Sequence, residues 1–317
     1  MMRDNGKTAE PWPPSALNLA VLAAASLAAV ALLWCASHAG SLWITVAAAI
    51  GFSFINNTVF SLLHEAVHGL FHDRKWINDA AGWITAAFFV TSFSVQGAFH
   101  LTHHRNNRSE FEQFDYLRPG DNRFLKYAQW YAILTGLYWV FAPAFCLVYA
   151  AAPDVLRQRW LRDPDTRVGY QTGSAAYLAG VESVSIWRVR LEVLFTLSFQ
   201  ALLFLAFDLS LEGWLICYAF FAVNWSSLQY ADHAWSPLDY RDGAWNLRVN
   251  PLVKLLFLNY HDHLAHHQNP QVPWLYLPDY VDADIPRPSY LEIYIKMWRG
   301  PRKLENNSAA GHEIADV

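Results

Sequence analysis

Three clusters of histidine carry the chemistry legible in this chain. The first is His64-Glu-Ala-Val-His68, the second His100-Leu-Thr-His103-His104, the third His263-Leu-Ala-His266-His267. With 13 histidines in 317 residues, chance supplies about 0.02 copies of the pattern H-x2-HH. Two copies are present, so coincidence and a merely polar surface are poor explanations. Residues three or four apart share one helical face. Each cluster therefore presents two or three imidazoles to one side. Imidazole is a neutral metal ligand that suits iron, copper, zinc and nickel. Eight such ligands exceed one coordination sphere, and the count fits two ions held close together.

His233 is a ninth candidate. It follows a long apolar stretch in Gln229-Tyr-Ala-Asp232-His233, where ionisable groups mark function. Gln229 precedes it by four residues, on the same helical face. Asp232 is expected to orient a ligand imidazole, as carboxylates beside metal-bound histidines do. Asn57 shares a stripe with Ser61, His64 and His68, and is expected to line the substrate or support a ligand. His72 extends that stripe by a turn, beyond the H-x3-H pair, and is taken as a neighbour. His38 and His312 are read as incidental. In the third cluster His261 competes with His263 for the first position. Helical spacing selects His263, because five residues separate His261 from His266 and turn it away by about 140°.

The elements that position these groups must be apolar. Hydrophobic residues make up 54% of the chain, aromatic 16% and charged 16%, against about 25% charged in a soluble protein. The net charge of −4 gives no basic footprint for nucleic acid. Cys35, Cys146 and Cys217 lie far apart in apolar stretches, without a metal-binding or disulfide spacing. The sequence predicts an all-α integral membrane protein, one domain over residues 1–317, with a polar lead over 1–15 and a disordered tail over 301–317. Ala16–Ala36 and Leu42–Leu63 form one hairpin of spans; Leu191–Phe207 and Trp214–Ala231 form a second. About 20 apolar residues cross a hydrocarbon core, so four transmembrane helices result.

Ala80–Phe99 and Tyr127–Ala151 are also apolar, but basic residues flank each on both sides. Positive loops stay inside, so both are expected to be interfacial or re-entrant, the second broken at Pro143. Residues 152–189 form a polar connector. Leu291, Tyr294, Ile295 and Trp298 make an apolar stripe suited to a membrane surface. This topology puts the three clusters in a cap on the cytosolic side of the inner membrane. A metal transporter, the non-enzyme alternative, would hold its ligands near mid-bilayer along a path. Here the clusters lie beyond the ends of the spans.

Taken together, residues 42–277 resemble the membrane-bound fatty acid desaturase superfamily. The resemblance rests on the order H-x3-H, H-x2-HH, H-x2-HH, on the intervals between the boxes, and on the paired spans. Asn78-Asp79 after the first box and Asn259-Tyr260 before the third add to it. It implies two irons, bound by His64, His68, His100, His103, His104, His233, His263, His266 and His267. It implies dioxygen-dependent desaturation of a fatty acyl chain, on a thioester or a lipid, in the membrane. Acyl hydroxylase, acetylenase, and carotenoid ketolase or hydroxylase outcomes need the same metals. Stearoyl-type members place an Asn, which holds a water near iron, where Gln229 stands. The family order Asn-Tyr-His would put His261 first in the third box. No haem electron-carrier domain is fused within these residues, so an external donor such as a ferredoxin is expected.

Overall fold

The computed structural model describes residues 11–158 and 172–304; residues 1–10 of the expected lead, 159–171 of the connector and 305–317 of the tail lie outside the described residues. The fold is mostly helical. Helices α1 (Ser15–His38) and α2 (Leu42–Val67) form the first hairpin. Two shorter helices follow, α3 (Lys75–Phe89) and α4 (Phe93–Asn106). Then come α5 (Arg123–Leu134), α6 (Leu137–Ala151) and the short α7 (Pro153–Leu156). Within the expected connector a helix forms, α8 (Thr172–Glu182), which precedes the second long hairpin, α9 (Ile186–Phe207) and α10 (Leu211–Ala231). Short helices α11 (Pro251–Leu256), α12 (His263–Gln268) and α13 (Tyr290–Met297) complete the chain.

Helix α2 is the central element, packed against α1, α3 and α10. Lipid tails give apolar helices no hydrophobic incentive to associate, so close van der Waals approach must hold them together. The sequence supplies small residues for it. Ala25, Ala29 and Ala36 on α1 and Ala48 and Ala49 on α2 are buried.

By length and hydropathy, α1, α2 and α9 can cross a membrane. The expected fourth span, Trp214–Ala231, does form within α10, but α10 is not among the helices apolar enough to count as a span. Asn224, Ser226, Ser227 and Gln229 lower its hydropathy, and two of them bury their side chains against other elements. The Ser226 hydroxyl accepts from Trp139 N at 3.2 Å, and Ser227 shares a 2.9 Å hydrogen bond with Tyr290. Between three and five spans are available, depending on how two bent pairs are counted.

Those pairs are the stretches expected to be re-entrant or interfacial. Helices α3 and α4 meet at 90°, α5 and α6 at 96°. The first bend passes through Val90, at φ 64°, and starts α4 at Ser92, whose side chain accepts from Val95 N. Glu192 of α9 fastens this corner, accepting from Ser92 Oγ at 2.5 Å, Ser94 N at 2.8 Å and Ser94 Oγ at 2.7 Å. The second bend corrects the expectation for Pro143. The proline sits inside α6, which continues through it. The chain turns instead at Gly136, with φ 82°, where a Cβ would stand 2.6 Å from the backbone nitrogen of Val223. A residue that needs both a left-handed conformation and a close backbone approach can only be glycine.

The tail also differs from expectation at its start. Arg302–Lys303 pairs in parallel with Tyr116–Leu117 as a two-residue strand. Helix α13 carries the expected stripe: Ile293 and Met297 are buried, while Leu291, Ile295 and Trp298 face outward.

Candidate metal centre and substrate cavity

Each histidine cluster reaches the centre on a different support. The first box closes α2, with His64 in its last turn and His68 at its C-cap. Asn78 clamps that end, donating to Ala66 O at 2.9 Å and accepting from Phe71 N at 3.2 Å. The second box lies on α4. The third is α12, a helix of six residues whose spacing sets His263, His266 and His267 on one side. Its approach is tied to α2: the hydroxyls of Thr58 and Ser61 donate to Leu256 O and Phe257 O at 2.6 and 3.0 Å. Asn246 accepts from Ala265 N at 3.0 Å and holds α12 from the other side.

Among the described residues the imidazoles fall into two groups able to hold a metal ion, each with all its ligand atoms within 4.8 Å of one another. The first contains His64, His68, His100, His104 and His266; the second contains His103, His233, His263 and His267. In the first, neighbouring Nε2 atoms stand 2.8 Å (His68–His100), 2.9 Å (His100–His104) and 3.0 Å (His104–His266) apart. In the second the separations are 3.2 Å (His103–His233), 3.1 Å (His233–His263) and 3.2 Å (His263–His267).

These are not six hydrogen bonds. A neutral imidazole has one donor and one acceptor nitrogen, and a single N–H cannot point at two neighbours. Four Nε2 atoms in a row therefore leave lone pairs facing one another. An ion about 2.1 Å from each nitrogen, with ligands near 90° apart, separates neighbours by about 3.0 Å. The observed spacings match that edge, so the residues fit a metal in each group.

The electrostatics agree. Burial first, and neighbouring imidazoles second, hold His233, His263, His266 and His267 well below the usual 6.5. Burial lowers His68 to about 4. Histidines kept neutral at physiological pH are in the form that ligates metal.

The backs of several rings are held. His103 Nδ1 lies 3.3 Å from Glu112 Oε2, and Glu112 takes a very short hydrogen bond from the Tyr177 hydroxyl. His233 Nδ1 donates to Gly243 O at 2.8 Å. Neither Glu112 nor Tyr177 was legible as a partner: they come from a loop and from α8, with no periodic relation to the boxes.

The remaining candidates sort clearly. His261 joins neither group; its Nε2 stands 3.6 Å from Asp262. His72 pairs with Asp73 at 2.6 Å, and His38 meets Trp34 O at the far end of α1. Asn57 departs from expectation: it donates to Ser53 O at 2.8 Å within its own helix and does not line the cavity described below. Gln229 accepts from the Tyr260 hydroxyl at 2.9 Å, while its buried amide nitrogen has no partner. Asp232 is fully buried, and its oxygens approach His233 and His263 on their Nε2 side, at 3.8 and 3.7 Å. A carboxylate that orients a metal-bound imidazole accepts from the other ring nitrogen, so the expected orienting role does not fit.

A cavity of about 320 Å³ opens beside the two groups. His100, His103, His233 and His263 reach its wall, together with Gln229 and Glu112. The rest is largely aromatic, with Phe60, Phe99, Phe145 and Trp225 prominent. Its outward-facing rim is Tyr138 and Phe141 of α6, a helix without a charged residue. Among the described residues, the one lining cation is Arg108, buried and bound to Asp115 at 2.8 and 3.1 Å.

Apolar helices thus bring two groups of histidines able to hold a metal ion beside one largely aromatic cavity. The family model "Fatty acid desaturase" matches residues 41–299. The chain belongs to the fatty acid desaturase family. Comparison with curated proteins gives no match.

Proposed function

We propose that the protein is a diiron oxidoreductase that desaturates a fatty acyl chain, using dioxygen and electrons from an external donor such as a ferredoxin. One observation carries this: both histidine groups contribute to the wall of the same aromatic cavity, His100 from the first and His103, His233 and His263 from the second. Two irons in these groups would supply the activation of dioxygen that an unactivated C–H bond requires.

The chain's own residues supply the rest. Phe60, Phe99, Phe145 and Trp225 give an unfunctionalised chain a dry, shaped site, which holds its reacting carbons in place. Glu112, braced by Tyr177, fixes the His103 ring. Gln229, which lines the cavity, accepts from Tyr260 and leaves its amide nitrogen without a partner. Tyr138 and Phe141 place the mouth on an uncharged helix, which suits an acyl chain held in the membrane. Basic residues around the bent pairs, Arg74, Lys75, Arg105, Arg118 and Arg123, favour a cytosolic active site at the inner membrane.

The test is expression in a host that lacks desaturases, with its own electron donors and a supplied ferredoxin, followed by analysis of total lipids. New double bonds that disappear with His104→Ala are expected. Unchanged acyl chains, with a metal-loaded protein in the membrane, would remove the desaturase assignment.

A further inference from the structure

Two amide side chains in the cavity wall hold hydrogen-bonding capacity that the protein does not use. Gln229 lines the cavity from α10. Its Oε1 accepts from the Tyr260 hydroxyl at 2.9 Å, while its Nε2 is buried without a partner. Gln96 lines the same cavity from α4 and is half-buried. Among the described residues its side chain makes no hydrogen bond. Other polar groups of the wall are committed. Glu112 receives the Tyr177 hydroxyl and faces His103, while Arg108 and Tyr230 both bind Asp115.

An amide N–H shut away from water without an acceptor is costly. In a wall built mainly of aromatic rings, a few placed polar groups fix the orientation of a ligand. The two amides also stand in matching places. Gln96 precedes His100 by four residues on α4, and Gln229 precedes His233 by four at the end of α10. Residues four apart share a helical face. Each amide therefore lies about one turn, roughly 5.4 Å, back from an imidazole that reaches the cavity. The two helices converge at this end, where His103 and His233 bring their Nε2 atoms to 3.2 Å.

We propose that Gln96 and Gln229 bind an oxygen function of the substrate inside the cavity, either the carbonyl of an acyl ester or thioester, or a hydroxyl. The inference rests on the desaturase reading and adds where the substrate's polar group sits. Gln229 Nε2 donates to that oxygen. Gln96 supplies a second donor, and an acceptor where the oxygen carries a proton. One helical turn corresponds to about four bonds of an extended chain, at about 1.3 Å per bond. The oxidised carbons then fall within about six bonds of the oxygen. In a plain acyl chain held by its carbonyl they lie toward the carboxyl end.

The test uses the full-length, iron-loaded protein in lipid nanodiscs. Three ³H-labelled probes of one chain length are compared by scintillation proximity: methyl octadecanoate, octadecan-1-ol and octadecane. Ala142→Phe, whose bulky side chain fills the cavity, gives the background. Wild type should bind an oxygenated probe at least about tenfold more tightly than octadecane. The ester leads if the ligand is a carbonyl, the alcohol if it is a hydroxyl. Gln229→Met and Gln96→Met keep the side-chain length and remove the amide. Each should cut that preference by about threefold or more, with octadecane binding unchanged. Gln96 has no partner to lose, so its variant decides if Gln229→Met, which strands the Tyr260 hydroxyl, fails to fold. No binding, equal binding of the three probes by wild type, or a preference that survives in either folded variant would overturn the proposal. With an electron donor added, a double bond made by wild type in the ester should lie within about six bonds of the carbonyl; one at mid-chain would also overturn it. Preference for an oxygenated probe without any oxidation would leave the subsite standing and remove the desaturase reading instead.

Discussion

His103 on α4 and His233 after α10, 130 residues apart, bring their Nε2 atoms to 3.2 Å of each other. The second box is thereby divided. His103 joins the second group, while its neighbours His100 and His104 join the first. One helix thus links the two groups, and any shift of α4 moves imidazoles of both.

Loss of single ligands should follow that division. His266→Ala or His104→Ala should lower iron at the first group, and His103→Ala or His267→Ala at the second, each abolishing turnover. Full activity in any one variant would remove that residue from the centre.

The third box offers a paired comparison. His263 stands 3.1 Å from His233, whereas His261 faces Asp262. His263→Ala should lose iron and activity, and His261→Ala should keep most of both. Iron measured side by side decides it, and the reverse pattern would show that His261 is the ligand.

Glu112→Gln should weaken metal binding by about 10- to 100-fold, the usual cost of losing a carboxylate behind a ligand imidazole. Tyr177→Phe should act in the same direction and less, since it removes only the support of that carboxylate. Competition for iron with a chelator measures both; equal retention in wild type and Glu112→Gln would show that His103 needs no such partner.

Ala142 lines the cavity. Ala142→Phe should fill it, so turnover of long acyl chains falls at least tenfold while iron content stays at the wild-type level. Undiminished turnover with the bulky residue would mean that the chain binds elsewhere.

Acid should destabilise the protein before it protonates the folded centre. His68 is lowered from 6.5 to about 4 and His261 to about 3, both chiefly by burial. Above 6.5 both are neutral folded or unfolded, and contribute no pH dependence. Below 6.5 the unfolded chain takes up protons that the fold refuses, so stability falls with pH. The loss from His68 ends near pH 4, that from His261 near pH 3. Thermal unfolding of the metal-free protein at pH 7 and pH 5 should give the lower midpoint at pH 5, and equal midpoints would contradict the burial of these rings.

The histidine boxes were legible because their signal is local: on a helix, spacing alone says which residues share a face. Long apolar runs likewise marked α1, α2 and α9. What remained hidden depends on tertiary approach. Pro143 looked like the breaker of residues 127–151, yet the helix tolerates it, and the turn falls at Gly136, where α5–α6 meets the backbone of α10. Gly136→Ala should therefore lower the melting temperature, through a left-handed strain of about 1–2 kcal/mol and the clash at Val223; an unchanged temperature would count against that close contact. Asn57 shared the ligand stripe, but its amide serves its own helix, while Thr58 and Ser61 do the docking. The side of the rings that Asp232 approaches could not be read from its place next to His233. Nor could the polar residues of α10 reveal that they serve packing, leaving that helix short of the hydropathy of a span.

Metal stoichiometry tests the centre most directly. The full-length protein, loaded with ferrous iron without oxygen, desalted and analysed for all transition metals, should hold two irons per chain, and one iron in each of His104→Ala and His267→Ala. A single zinc with no iron, or one iron that both variants remove, would contradict two separate iron sites.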